Sequence, residues 1–138
     1  MSYLLDANAL LYALQATQPR HPAFYGWLRQ ALTDGEPLYS CGLNEVALAR
    51  ISTHVYHTPP GDVFEFLADL HAQPNYRFLE LGKAGLNRWR QLTLSLNLRG
   101  NDLNDAYLAA LALEHRLTLV SADAGFARFP GLRVFTPA

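Results

Sequence analysis

The sequence predicts an α/β fold: a three-layer α/β/α sandwich around a central, mainly parallel sheet of four or five strands. Along its 138 residues, short apolar segments alternate with longer segments in which apolar residues recur at helical spacing. Pro and Gly residues fall mainly between these segments, and neither repeats nor linkers interrupt them. The chain is therefore predicted to form a single domain over residues 1–138.

The elements follow from the local pattern. The predicted strands are short and apolar: Tyr3–Leu5, Pro37–Cys41, Arg77–Leu81, Leu117–Ser121 and Leu132–Phe135. The predicted helices alternate with them: Ala7–Ala16, His21–Leu32, Leu43–Val55, Gly61–Ala72, Ala84–Leu96 and Asn104–Arg116, with a short helical turn at Asp123–Phe129. The Asn104–Arg116 helix is rich in Leu and Ala on nearly all sides, which is typical of a central buried helix.

Composition narrows the class of protein. Half of the residues are hydrophobic and 17% are charged, as in a compact globular domain. No apolar run has the length of a membrane span and no signal peptide pattern is present, so we expect a cytoplasmic protein. The single Cys41 excludes an internal disulfide and a Cys-rich zinc site. The net charge of −1 does not by itself indicate a nucleic-acid-binding protein.

Four acidic residues stand where strands end or helices begin. Asp6 follows the first predicted strand and Asp123 follows the fourth, whereas Glu45 and Asp105 lie in the first turns of two helices. In a parallel α/β sheet, ligand chemistry gathers at the carboxyl ends of the strands. We therefore expect these four carboxylates to lie near one edge of the sheet.

Carboxylates that lie close together raise one another's pKa, and a hard divalent cation removes that conflict. Mg²⁺ and Mn²⁺ prefer oxygen ligands, and a water acidified by such a cation can attack a phosphodiester. Each acid taken alone also fits a second interpretation, because Asp and Glu favour the first turns of helices. Four acids at one edge favour the metal site.

Four segments carry a resemblance to a known family. "YLLDANALLYAL", "LNEVALARIST", "NDLNDAYLAALALEHRLTLVSAD" and "FARFPGLRVF" together resemble the PIN-domain ribonucleases, specifically the VapC-type toxins of bacterial toxin–antitoxin modules. The likeness spans nearly the whole chain, and the segments occur in the family's order. It implies a PIN-like fold and a metal-dependent endoribonuclease that hydrolyses RNA.

The resemblance also assigns roles to individual residues. It implies that the acidic quartet performs RNA hydrolysis with Mg²⁺, or Mn²⁺ in its place, with Asp6, Asp105 and Asp123 as the metal ligands. Further polar residues match supporting positions of the family: Asn8, Arg50 and Ser121. Close relatives often read D-x-D-F near the end, where this chain has Asp123-Ala124-Gly125-Phe126, so Asp102 is the candidate for an additional acid.

The resemblance implies partners as well: a VapB-like antitoxin, an RNA substrate, and a second copy of the chain in a homodimer that assembles further with the antitoxin. Three other classes compete with this interpretation. A receiver-like phosphorylation switch needs a Lys at the end of the last strand, but Lys83 lies before the fifth helix. An aspartyl phosphatase needs an Asp two residues after Asp6, where Asn8 stands. An inactive PIN-like RNA-binding or scaffold module is the third alternative.

Overall fold

The computed structural model describes residues 1–138 and contains five strands and six α-helices. The strands are β1 (Tyr3–Leu5), β2 (Leu38–Ser40), β3 (Tyr76–Phe78), β4 (Thr118–Val120) and β5 (Val134–Phe135). The helices are α1 (Ala7–Leu14), α2 (His21–Thr33), α3 (Gly42–His54), α4 (Pro60–His71), α5 (Lys83–Ser95) and α6 (Asp102–His115), followed by a 3₁₀ helix at Ala124–Arg128. Every predicted element is present, with boundaries shifted by a few residues at most.

All five strands pair in parallel, in the order β3-β2-β1-β4-β5. The predicted fold class is therefore confirmed. The centre of the sheet fixes the position of the candidate site. Leu5 lies opposite Val120 in the register of β1 and β4, and the Asp6 amide donates to the Val120 carbonyl at 3.0 Å. Asp6 and Ser121 consequently leave the sheet side by side at its carboxyl edge.

Two hydrophobic clusters cover the two faces of the sheet. Leu5 belongs to the cluster formed with α1, α2, α3 and α4, whereas Leu4 belongs to the cluster formed with α6 and the 3₁₀ helix. Neighbouring residues of β1 thus face opposite layers, as strand geometry requires. Cys41 is buried without a disulfide partner in the second cluster, and burial raises its pKa to about 11.

Helix α6 begins earlier than the sequence predicts. The predicted start was Asn104, but the helix begins at Asp102. Gly100 has a φ of 60°, which turns the chain, and the amide of Asn104 already donates to the Asn101 carbonyl. These turn-type bonds extend the helix backwards, so Asp102 and Asp105 both lie in its first turn. Asp102, which the predicted start at Asn104 leaves outside the helix, therefore lies within it.

No helix of the structure is long and apolar enough to cross a membrane.

Two glycines in helices provide a matched test of the packing between α5 and α6. A Cβ at Gly85 would overlap the Glu114 carboxylate and lie 2.5 Å from Leu81 Cδ2, whereas a Cβ at Gly26 would meet nothing within 4 Å. We expect Gly85→Ala to lower the free energy of unfolding by up to about 2 kcal/mol, because the overlap with these side-chain ends outweighs the gain in helix propensity. Gly26→Ala should raise it by about 0.5–1 kcal/mol, because Ala has the higher helix propensity. Urea unfolding of both variants measures this, and equal effects would contradict the close approach.

Candidate active site

Asp6 is a buried carboxylate that caps a helix and also faces a cleft. Its side chain is 8% exposed, and Oδ1 accepts a hydrogen bond from the Ala7 amide at 2.7 Å at the start of α1. The Ser121 hydroxyl donates to Oδ2 at 2.7 Å. Burial raises the pKa of Asp6; these two hydrogen bonds oppose the shift, and the nearby charge of Asp123 adds to it.

Asn8 and Ser121 connect this carboxylate to the end of β4. The side-chain amide of Asn8 donates through Nδ2 to Ser121 Oγ at 3.2 Å, and its Oδ1 accepts from the backbone amide of Ala122 at 3.2 Å. Ser121 Oγ also accepts from the Asp123 amide at 3.0 Å. The structure therefore places Ser121 on Asp6 and Asn8 on Ser121, so these two predicted supporting residues tie the end of β4 to the start of α1.

Asp105 extends the acidic group from the first turn of α6. Its pKa is raised to about 6, chiefly by burial and then by the charges of Asp123 and Asp6, while Arg128 opposes the shift. Arg128 Nη2 lies 3.0 Å from Asp105 Oδ2 and 3.4 Å from Asp102 Oδ1. Asp102 is half exposed and lies on the outer side of this group.

Asp123 is the third aspartate, and it stands just past β4. Its Oδ1 accepts a hydrogen bond from the Gly125 amide at 2.8 Å, which caps the 3₁₀ helix. Its charge raises the pKa of Asp105 and of Asp6. Three aspartates from distant parts of the chain therefore repel one another at a single edge of the sheet.

A cleft of about 340 Å³ opens in front of Asp6 and Asp105. Its polar lining residues are Asp6, Asn44, Arg50, Asn101, Asn104 and Asp105. Arg50 is exposed and forms no ion pair, so its guanidinium is free for an anionic ligand. Asn44 is buried and donates to the Leu5 carbonyl at 2.6 Å, which fixes the first turn of α3 against the end of β1.

The structure does not bring Glu45 to the aspartates. His71 Nε2 lies 2.9 Å from both of its carboxylate oxygens, and the Tyr76 hydroxyl donates to Oε2 at 3.3 Å. The physical reason is the rotation of α3. Asn44 takes the side that faces β1, and the next residue therefore points about 100° away, towards α4 and β3. The Glu45 carboxylate is thus bonded to His71 and Tyr76 in this structure, and its predicted place in the four-acid group stays a prediction.

The sequence analysis did not predict the contact between His71 and Glu45. No spacing relates His71 in α4 to Glu45 in α3, so only the packing of the two helices reveals the pair. The contact lies beside an apolar groove of about 710 Å³ between α3 and α4. Val46 and Arg50 line both this groove and the acidic cleft, so the two features share a wall.

The donor set is suited to a hard divalent cation held by few protein ligands. No three or more His, Cys, Asp or Glu side chains stand together closely enough to hold a metal ion as one group. Asp105 Oδ1 and Asp123 Oδ2 nevertheless accept no hydrogen bond, and Asp6 carries one bond on each oxygen. Mg²⁺ characteristically uses one or two carboxylates and keeps several waters. The aspartates fit such a cation.

The fold and the cleft define an α/β protein with an acidic site at the carboxyl edge of a parallel sheet. The PIN domain family model matches residues 3–132 of this chain. The chain therefore belongs to the PIN-domain family.

Its relatives carry the VapC name. It is 39% identical over 136 residues to VapC ribonuclease Mb2897 of Mycobacterium bovis, a match that covers 94% of this chain and 90% of that protein. It is 30% identical to Ribonuclease VapC25 of Mycobacterium tuberculosis, with 98% of each chain covered. The predicted resemblance to VapC-type PIN proteins is confirmed.

Solved structures agree on the fold. The structure of VapBC2 from Rickettsia felis bound to a promoter DNA fragment matches with a TM-score of 0.75 at 19% identity, over 100% of both chains. The structure of Mycobacterium tuberculosis VapC20, described as a sarcin-ricin loop cleaving toxin, matches with a TM-score of 0.71 at 12% identity, covering 96% of this chain and 99% of that one.

Removal of one charge from the aspartate group should stabilise the metal-free protein. Asp105 has a pKa raised from 3.8 to about 6, so the folded state holds a proton that the unfolded state releases. The destabilisation of the folded state by the ionised Asp105 is absent below pH 3.8 and complete above about pH 6. We expect Asp105→Asn to raise the Tm at pH 7 by about 2–6 °C and to abolish the loss of stability that this group causes as pH rises from 4 to 6.

Thermal unfolding in excess chelator measures this effect. Asp69→Asn, at an exposed position of α4, is the matched control and should leave both the Tm and its pH dependence nearly unchanged. A lower Tm for Asp105→Asn would contradict electrostatic repulsion as the dominant effect at this position.

Proposed function

We propose that this protein is a divalent-cation-dependent endoribonuclease that acts as the toxin of a toxin–antitoxin pair. The observation that carries the proposal is the convergence of Asp6, Asp105 and Asp123 at one edge of the sheet, where the charge of Asp123 raises the pKa of both other aspartates. The VapC ribonucleases among its relatives support RNA as the substrate. Mg²⁺ is the proposed cofactor, and Mn²⁺ is its proposed substitute.

Asp6 and Asp105 would hold the cation, with Asp123 completing the set directly or through water. The bound cation would supply an acidified water for attack on phosphorus and positive charge to offset the charge that develops there. Ser121 and Asn8 keep Asp6 oriented through their hydrogen bonds. Arg50, free of any ion pair, is placed to bind a phosphate of the RNA by its planar fork.

Glu45 is left outside the proposed cation site, because His71 and Tyr76 already occupy its carboxylate. Burial raises the pKa of the Tyr76 hydroxyl, which keeps that group a hydrogen-bond donor. Asp102 is also left outside, since it is half exposed and paired with Arg128. With Glu45 and Asp102 left outside, the proposed cation ligands are the three aspartates Asp6, Asp105 and Asp123.

If the proposed activity depends on the cation and on the aspartates, removal of either one should abolish RNA cleavage. We expect the purified chain to cleave RNA with Mg²⁺ or Mn²⁺ and to lose cleavage in excess EDTA. Asp6→Asn keeps the shape of the side chain and the α1 cap but removes a charge. It should lower the rate of RNA cleavage by at least about 100-fold and abolish toxicity, while the protein stays folded.

Asp62→Asn is the control, because Asp62 lies in the first turn of α4, away from the cleft. Cleavage that persists in excess EDTA would refute the metal mechanism. Intact RNA in all conditions, with RNA binding retained, would instead favour the inactive RNA-binding module.

A VapB-like antitoxin is the proposed partner, and the apolar groove between α3 and α4 is its proposed binding site. Val46 is 67% exposed and Phe64 is 61% exposed there, which is unusual for large apolar side chains on adjacent helices. Structures of VapBC complexes among the neighbours support the class of partner. The homodimer stays part of the same proposal.

Charge placed in this groove should prevent capture of the antitoxin. We expect Phe64→Asp to lose the antitoxin on co-expression and affinity purification, because burying the new carboxylate against Val63 and Leu67 is costly. Leu94→Asp is the control, because Leu94 is 74% exposed on α5, outside the groove. Equal retention of antitoxin by both variants would exclude the groove as its binding site.

A further inference from the structure

Arg128 is the only cationic side chain that contacts the aspartates of the cleft. Its Nη2 atom donates to Asp105 Oδ2 at 3.0 Å and lies 3.4 Å from Asp102 Oδ1. No Lys, His or other Arg forms an ion pair with Asp6, Asp102, Asp105 or Asp123. The guanidinium therefore acts as the counter-ion of Asp105 in this structure.

A second contact keeps this guanidinium at the cleft without depending on the carboxylates. Its Cζ atom lies 5.1 Å from the centre of the Phe129 ring, and the Phe129 side chain is buried. This cation–π contact involves no carboxylate, so it does not itself require the ion pair. The Arg128 side chain is about one-third exposed, so its end can turn on this support towards solvent or towards a ligand.

We propose that Arg128 exchanges partners: it balances Asp105 in the cation-free protein and binds an RNA phosphate when a divalent cation is held by the aspartates. This inference rests on the proposed function and deepens it. A divalent cation on Asp105 and the guanidinium repel each other, so Arg128 gives up the carboxylate. The nearest new anion for it is the phosphate backbone of the bound RNA, which its planar fork matches.

A purely structural ion pair is the competing explanation. In that case Arg128 only fastens the 3₁₀ helix to α6, a half-exposed pair that contributes little to stability. Loss of the guanidinium would then change neither the affinity for cations nor the dependence of RNA binding on salt. The two explanations thus differ in measurements that need no catalysis.

The first measurement is Mn²⁺ binding by isothermal titration calorimetry without RNA. Arg128→Gln removes the competing charge and keeps an amide that can reach the same place. We expect it to bind Mn²⁺ about three- to tenfold more tightly than the wild type, and Arg128→Lys to resemble the wild type. Arg29→Gln is the matched control, because Arg29 also stacks on an aromatic ring, that of Tyr25, but touches no site aspartate.

The second measurement is the binding of a short, fluorescein-labelled single-stranded RNA by anisotropy in Ca²⁺, at several salt concentrations. We expect Arg128→Gln to weaken binding about tenfold. The slope of log affinity against log salt should become shallower by about 0.7, the value for one lost contact to a single-strand phosphate. Arg29→Gln should leave the slope unchanged.

An unchanged or weaker Mn²⁺ affinity in Arg128→Gln would overturn the proposal, and so would an unchanged salt slope. Both results are meaningful only for folded protein, which circular dichroism and the Arg128→Lys variant establish. A wild-type protein that binds no Mn²⁺ and cleaves no RNA would refute the proposed function instead. Failure of the inference and failure of the function are therefore separable.

Discussion

The buried carboxylate of Asp6 is the constraint on which the rest of the site depends. It lies at the carboxyl edge of the sheet with one hydrogen bond on each oxygen, which compensate for part of its lost hydration but do not neutralise its charge. The pairing of β1 with β4 places Ser121 beside it, and α6 adds Asp105. The parallel fold thus gathers like charges at one edge, and the proposed divalent cation would offset their repulsion.

The fold and the three aspartates could be predicted from the sequence because both depend mainly on topology. Once strands and helices alternate, residues that follow β1 and β4 must meet at one edge, whatever the details of packing. The start of α6 is harder to predict from the sequence, because it depends on the left-handed turn at Gly100 and on turn-type hydrogen bonds. No hydrophobic pattern records such bonds.

The direction of Glu45 could not be predicted, because the rule for strand ends locates a backbone position and not the side that a helical residue faces. The buried Asn44 settles that direction through its bond to the Leu5 carbonyl. The Glu45 carboxylate then bonds to His71 of α4 and Tyr76 of β3, two elements that lie later in the chain. Val46 and Arg50 line both the acidic cleft and the apolar groove. A partner bound in the groove between α3 and α4 would therefore lie against a wall of the acidic cleft.

The most direct test of this account is a crystal structure of the protein with Mn²⁺, in which anomalous scattering locates the ion. We expect an anomalous peak at ligand distance, about 2.0–2.3 Å, from carboxylate oxygens of Asp6 and Asp105, with the Arg128 guanidinium turned away from Asp105. Glu45 should remain on His71. A peak bound by Glu45 in place of these aspartates, or no peak at the carboxyl edge at saturating Mn²⁺, would contradict it.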